Sequence, residues 1–87
     1  MIFINLCKFR EKPAIVSSKS SEIKKGMEKE GIKFLASYWT LGRYDTVVIM
    51  EAPDEKTIMK ANRLLSDIAA VETMVGLTAE EAHKLLQ

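Results

Sequence analysis

The sequence predicts one α+β domain over residues 1–87, ordered β-α-β-β-α-β and followed by a short terminal helix. Three observations carry this. Four stretches rich in β-branched and aromatic residues run without a breaker, as strands do. Two segments between them space their apolar residues by three and four, as helices do. The link between the second and third strands is too short for anything but an antiparallel hairpin.

The first strand is Ile2 to Phe9, left through Arg10-Glu11-Lys12-Pro13. A helix follows, with Val16, Ile23 and Met27 on one stripe and the small Ser20 between them. Its start is ambiguous: either Pro13 is the first helical residue or a serine of the run 17–21 is the N-cap. Gly31 ends it, where the chain needs a left-handed backbone. Ile32 to Leu41 is the second strand, Gly42-Arg43-Tyr44 the turn, and Asp45 to Ala52 the third strand. Asp54 is placed to cap the second helix, which runs to about Ser66 and buries Ile58, Ala61 and Leu65. Asp67 to Leu77 holds the fourth strand, with Val71, Thr73 and Val75 alternating. Thr78-Ala79-Glu80-Glu81 is a capping box that opens the last helix, ending near Leu86. With right-handed crossovers, this order gives a ferredoxin-like, four-stranded antiparallel sheet with two helices on one face.

Two helices cover one face only, and a strand with a wet face should alternate apolar with polar residues. These strands do not. Ile2, Ile4 and Leu6 oppose Phe3, Cys7 and Phe9; Val48 and Met50 oppose Val47 and Ile49; Phe34 and Tyr38 oppose Leu35, Trp39 and Leu41. The expectation is a homodimer or higher oligomer packed sheet to sheet, with a space between the sheets as the place for a ligand. Asn5 and Glu51 interrupt these apolar patterns on strands expected to be neighbours. Their functional reading is a polar cluster that orients a bound molecule. The structural reading has Glu51 capping a loop or pairing with a lysine.

Composition narrows the function classes. The chain is 47% hydrophobic and 29% charged with a net charge of +1, which fits a folded globule without general attraction to nucleic acid. Charge is uneven: residues 1–33 hold eight Lys/Arg against four Glu, and residues 34–87 hold five against eight acidic groups. The longest apolar runs fall well short of a membrane span. The start, Met1-Ile2-Phe3-Ile4-Asn5, lacks the basic region of a secretory signal. One cysteine, Cys7, makes no internal disulfide, so a cytoplasmic location is expected. A lone His83 and that lone Cys7 make no metal site, and His83 on a terminal helix is a poor haem ligand. No cofactor is expected, since phosphate-binding glycine motifs are missing and no serine has a base in its context. RNA recognition shares this element order but needs exposed aromatics on the third strand, and Thr46-Val47-Val48-Ile49-Met50 supplies none.

The segment Tyr38-Trp39-Thr40-Leu41-Gly42-Arg43-Tyr44-Asp45, with Glu51-Ala52-Pro53-Asp54 after it, resembles the signature of the GYD-domain family, named for a Gly-x-Tyr-Asp turn. Val71-Glu72-Thr73 and the closing Leu77-Thr78-x-Glu80-Glu81 are similar too. The resemblance implies the dimeric α/β-barrel superfamily and supplies no activity. The region Phe9–Glu22 departs from the family pattern, being shorter and lacking its Thr-x-x-Gly turn. Physically, Gly42 frees the backbone, Asp45 can bond backbone amides, and Tyr44 can pack on the sheet edge. Alternatively Arg43, Tyr44 and Asp45 rim a cavity mouth.

The ligand-binding candidates are therefore Asn5, Tyr38, Trp39, Arg43, Tyr44, Asp45 and Glu51. The favoured reading is a small-ligand-binding or interaction module built as a sheet-to-sheet dimer. The alternative is a cofactor-independent monooxygenase- or isomerase-like enzyme holding a small apolar substrate among Trp39, Tyr38, Asn5 and Glu51. A third is an oligomer whose inter-sheet space is filled by side chains.

Overall fold

The computed structural model describes residues 1–87. The elements are β1 (Ile2–Phe9), α1 (Pro13–Lys29), β2 (Lys33–Trp39), β3 (Thr46–Glu51), α2 (Glu55–Asn62) with a 3₁₀ turn at Arg63–Leu65, β4 (Ala69–Gly76) and α3 (Ala79–Leu85). The sheet order is β2-β3-β1-β4, every pair antiparallel. This is the ferredoxin-like arrangement expected from the element order.

Local chemistry explains the boundaries. Pro13 is the first residue of α1, where its missing N–H costs nothing, so the proline start wins over the serine N-cap. Gly31 ends the helix at φ 104°, which a Cβ would resist. Asp54 caps α2 by accepting from the Thr57 amide at 2.8 Å, and Thr78 with Glu81 closes the capping box of α3. The second helix ends at Asn62, four residues before the expected Ser66. The last turn tightens to 3₁₀, held by Ser66 N–H donating to Arg63 O, and Ile68 N–H donates to Leu65 O in the turn that follows.

The second strand corrects the face pattern read from alternation. Its register slips between Phe34 and Ala36, so one extra residue enters β2 there. Phe34 and Trp39 consequently share the helix side, and Tyr38 joins Ala36 on the other. Leu41 lies beyond the strand and is fully exposed in the loop. Simple alternation had separated Phe34 from Trp39 because a bulge leaves no mark in a period-two pattern.

The core lies between the sheet and its helices in two clusters. One joins Phe3, Met27, Ile32, Met50, Ala52, Ile58 and Ala61; the other joins Cys7, Val16, Ile68 and Ala69. Ile23 of α1 and Leu65 of the 3₁₀ turn pack against both. Asn5 is completely buried among these residues and belongs to a closed hydrogen-bond ring. Its amide donates to Asn62 Oδ1 at 2.9 Å, the Asn62 amide donates to Thr73 Oγ1 at 2.9 Å, and that hydroxyl donates to Asn5 Oδ1 at 2.7 Å. The ring ties β1, α2 and β4 together.

The other face of the sheet has no cover from this chain. Across it run the rows Ala36–Ile49–Ile4–Met74 and Tyr38–Val47–Leu6–Glu72. The molecule is a slab 46 × 30 × 16 Å, with a surface of 6170 Å² against about 5,200 Å² for a compact protein of its mass. Its radius of gyration of 13.6 Å likewise exceeds the ~12 Å expected for this length.

Candidate functional site

The seven candidates do not gather in one place. Asn5 is absorbed by its polar ring under α2. Glu51 pairs in register with Ile2 and Lys33 on the open face, is exposed, and makes no ion pair, so it neither meets Asn5 nor bonds a lysine. Asn5 and Glu51 do lie on adjacent strands, as expected, but they point through opposite faces. The polar cluster built on the two does not form.

Asp45 is a fastener. Its Oδ2 accepts the Phe9 amide at 2.7 Å, taking the β1 donor just past the end of the β3 ladder, while its own amide donates to Cys7 O at 2.8 Å. Thr40 closes the loop by donating from its amide to Asp45 O and from its hydroxyl to Tyr44 O. Gly42 turns the chain at φ 98°.

Arg43 and Tyr44 meet at one end of the open face, and Tyr38 stands on that face in the row that runs through Val47 and Leu6 to Glu72. Tyr44 donates its hydroxyl to Glu72 Oε2 at 2.6 Å, which raises the pKa of the phenol because ionising it would set two anions side by side. The Arg43 guanidinium stacks over the Tyr44 ring at 5.7 Å, and Lys8 Nζ donates to Arg43 O at 3.2 Å. Glu72 and Lys8 were missed as site residues. Each is a charged interruption of a strand, the same signal that marked Glu51.

A cleft lies on the opposite face. Half-open and of about 470 Å³, it runs between α1 and the sheet, entered beside β2. Phe9, Phe34 and Trp39 supply aromatic surface, Cys7, Thr46 and Val48 the sheet-side wall, and Val16, Ile23 and Met27 the α1 side. Phe9 and Trp39 meet edge to face at 5.1 Å between centroids. The cause of the gap is legible. On the inward stripe of α1, Ser20 stands where a large apolar residue would reach the sheet, and Ser37 of β2 is similarly small between Phe34 and Trp39. Ser20 and Ser37 both line the cleft. Burial raises the pKa of the Cys7 thiol, an effect partly offset by its hydrogen bond with Thr46.

His83 sits exposed in α3. No three His, Cys, Asp or Glu side chains gather where they could hold a metal ion, and no helix is long and apolar enough to cross a membrane.

Comparison with known proteins decides the family. The model of the GYD domain matches residues 11–86. The chain belongs to the GYD-domain family. Its signature residues Gly42, Tyr44 and Asp45 are the turn, the strap to Glu72 and the fastener to β1 just described. No curated protein matches the chain. Among solved structures, this GYD domain is similar to 5-chloro-2-hydroxyhydroquinone dehydrochlorinase from Burkholderia phenoliruptrix AC1100, in complex with 2,5-dihydroxybenzoquinone: TM-score 0.66, 16% identity, 93% of this chain and 98% of that one. It is also similar to the regulatory subunit of aspartate kinase from Thermus thermophilus, with TM-score 0.55, 16% identity, 99% of this chain and 66% of that one. At such identities the likeness establishes the fold alone: the GYD domain shares the ferredoxin-like arrangement of these chains.

Proposed function

We propose that this GYD domain is a small-ligand-binding module in which the two faces of the sheet have separate tasks. The cleft under α1 holds an apolar guest, and the open face meets a second copy of the chain. The observation that carries the first half is the cleft itself. Its volume of about 470 Å³ falls within the usual range for small-molecule sites, and 14 of its 20 lining residues are hydrophobic. The dehydrochlorinase of similar fold, captured with a small quinone, supports a ring-sized guest on such a frame. The second half rests on the uncovered, mostly apolar rows and the excess surface of the slab. A sheet-to-sheet pair would bury roughly 1,200–2,000 Å².

The alternative enzyme reading would need Asn5, Tyr38, Trp39 and Glu51 around one substrate. Asn5 and Trp39 belong to the helix side and Tyr38 and Glu51 to the open side, so one protomer cannot converge the four.

Filling the cleft tests the proposal. Ser20→Leu places an aliphatic side chain where the stripe of α1 lacks one. It should raise stability by about 1 kcal/mol, less than a fully buried leucine because the cleft is half open. Aromatic fragments that perturb the fluorescence of Trp39, the only tryptophan, should lose that effect in the variant. Fragments that bind the filled variant as well as the parent would dismiss the cleft.

A further inference from the structure

The cleft is apolar, but its charge is one-sided. None of its 20 lining residues is acidic, and Lys24 is the one that carries a formal charge. Lys24 has no carboxylate within ion-pairing distance; the chain's ion pairs are Lys60–Glu30 and Lys84–Glu80. Its ammonium is held 5.4 Å from the centroid of the Phe34 ring, another lining residue. A lysine on an open helix surface samples many rotamers, and resting on a ring narrows them towards one position. Ser21 and Ser37, also in the lining, make no side-chain hydrogen bond within the chain, whereas Ser20 spends its proton on Ser17 O at 2.9 Å. One cation and two free hydroxyl donors therefore adjoin a cleft walled by Phe9, Phe34 and Trp39.

We infer that the cleft selects a ring compound carrying a single carboxylate, its ring among Phe9, Phe34 and Trp39 and its anionic end on Lys24. This deepens the ligand-binding reading and rests on it. The chemistry favours an anion over the alternatives. A cationic guest would meet an ammonium with no acidic group in the lining to offset it. A neutral guest would leave Lys24 without a counter-charge. A monocarboxylate supplies that counter-charge, and the ring packing supplies most of the affinity because a partly exposed ion pair adds little by itself.

Three ring compounds of matched size test this: naphthoate, the neutral naphthylmethanol and the cationic naphthylmethylamine. Each is titrated at neutral pH into the isotope-labelled chain while the single indole N–H resonance of Trp39 is followed by NMR. The expected order of affinity is acid, then alcohol, then amine, with the acid about two- to fivefold tighter than the alcohol, the gain typical of a partly exposed ion pair. Lys24→Gln should bring the acid to the affinity of the alcohol and leave the alcohol unchanged. Added salt should weaken the acid alone. Acid and alcohol binding alike, with no effect of Lys24→Gln, would overturn the charge selection while leaving the cleft as a binding site. No movement of the Trp39 resonance with any of the three would overturn both.

Discussion

Replacing Asn5 with alanine should be among the costlier single changes in this chain, and the structure sets its size. Asn5 is fully buried and its amide makes two bonds of the closed ring, to Asn62 and from Thr73. Each such bond contributes about 1 kcal/mol net. Removing the amide also leaves a small void between β1 and α2, for about 1 kcal/mol more. Asn62 is half-buried and Thr73 exposed, so the groups set free can find water, which keeps the total near 3 kcal/mol. For a domain of this size that lowers Tm by roughly 12–20 °C. Thr73→Val breaks two bonds of the same ring and leaves the buried Asn5 Oδ1 without a donor, so in spite of its exposed position it should cost about 2 kcal/mol. Urea unfolding at one fixed protein concentration, followed by Trp39 fluorescence, measures both, and the fixed concentration keeps any self-association from distorting the comparison. Asn5→Ala combined with Thr73→Ala should show a coupling of about 1 kcal/mol. If Asn5→Ala cost no more than Thr73→Val, or the coupling vanished, the ring would not be the tie between α2 and the sheet.

Two further outcomes follow from the signature turn and the helix cap. Asp45→Ala removes the acceptor of the Phe9 amide and should cost about 1–2 kcal/mol, with hydrogen exchange accelerating first at Phe9; unchanged exchange there would refute the fastening role. Asp54 has its pKa lowered by hydrogen bonds from the amide and hydroxyl of Thr57. A carboxylate depressed on folding stabilises above its unfolded pKa, and that contribution fades as pH falls through the lower folded value. Stability should therefore drop as acid reaches this range, and Asp54→Asn should flatten that drop; identical acid profiles would show that the cap is not felt.

Most of the fold was legible because local signals agreed with one another. Pro13, Gly31, Asp54 and the box at Thr78 marked the ends of helices, and the short link after β2 fixed the hairpin. What alternation could not show was the slip between Phe34 and Ala36, since a bulge is set by three-dimensional packing and twist. That one residue moved Trp39 to the helix side and Tyr38 to the open side. It thereby exchanged which of the two aromatic candidates shares a side with Phe34. Asn5 and Glu51 illustrate a second limit: register, unlike strand adjacency, decides which face a residue meets. The cleft was half-legible. Ser20 was visible as the small member of the α1 stripe, but its partner Ser37 takes on meaning only once the bulge has turned it towards α1.

The division of labour between the two faces is tested most directly by sedimentation of the intact chain at micromolar concentration, beside Ile49→Lys. Ile49 sits in the middle of the uncovered row Ala36–Ile49–Ile4–Met74, where a charge would be buried against a second copy but is harmless in water. The account predicts a particle of twice the 9.8 kDa chain mass for the parent and a folded single chain for the variant. A parent that sediments as one stable 9.8 kDa chain would contradict it.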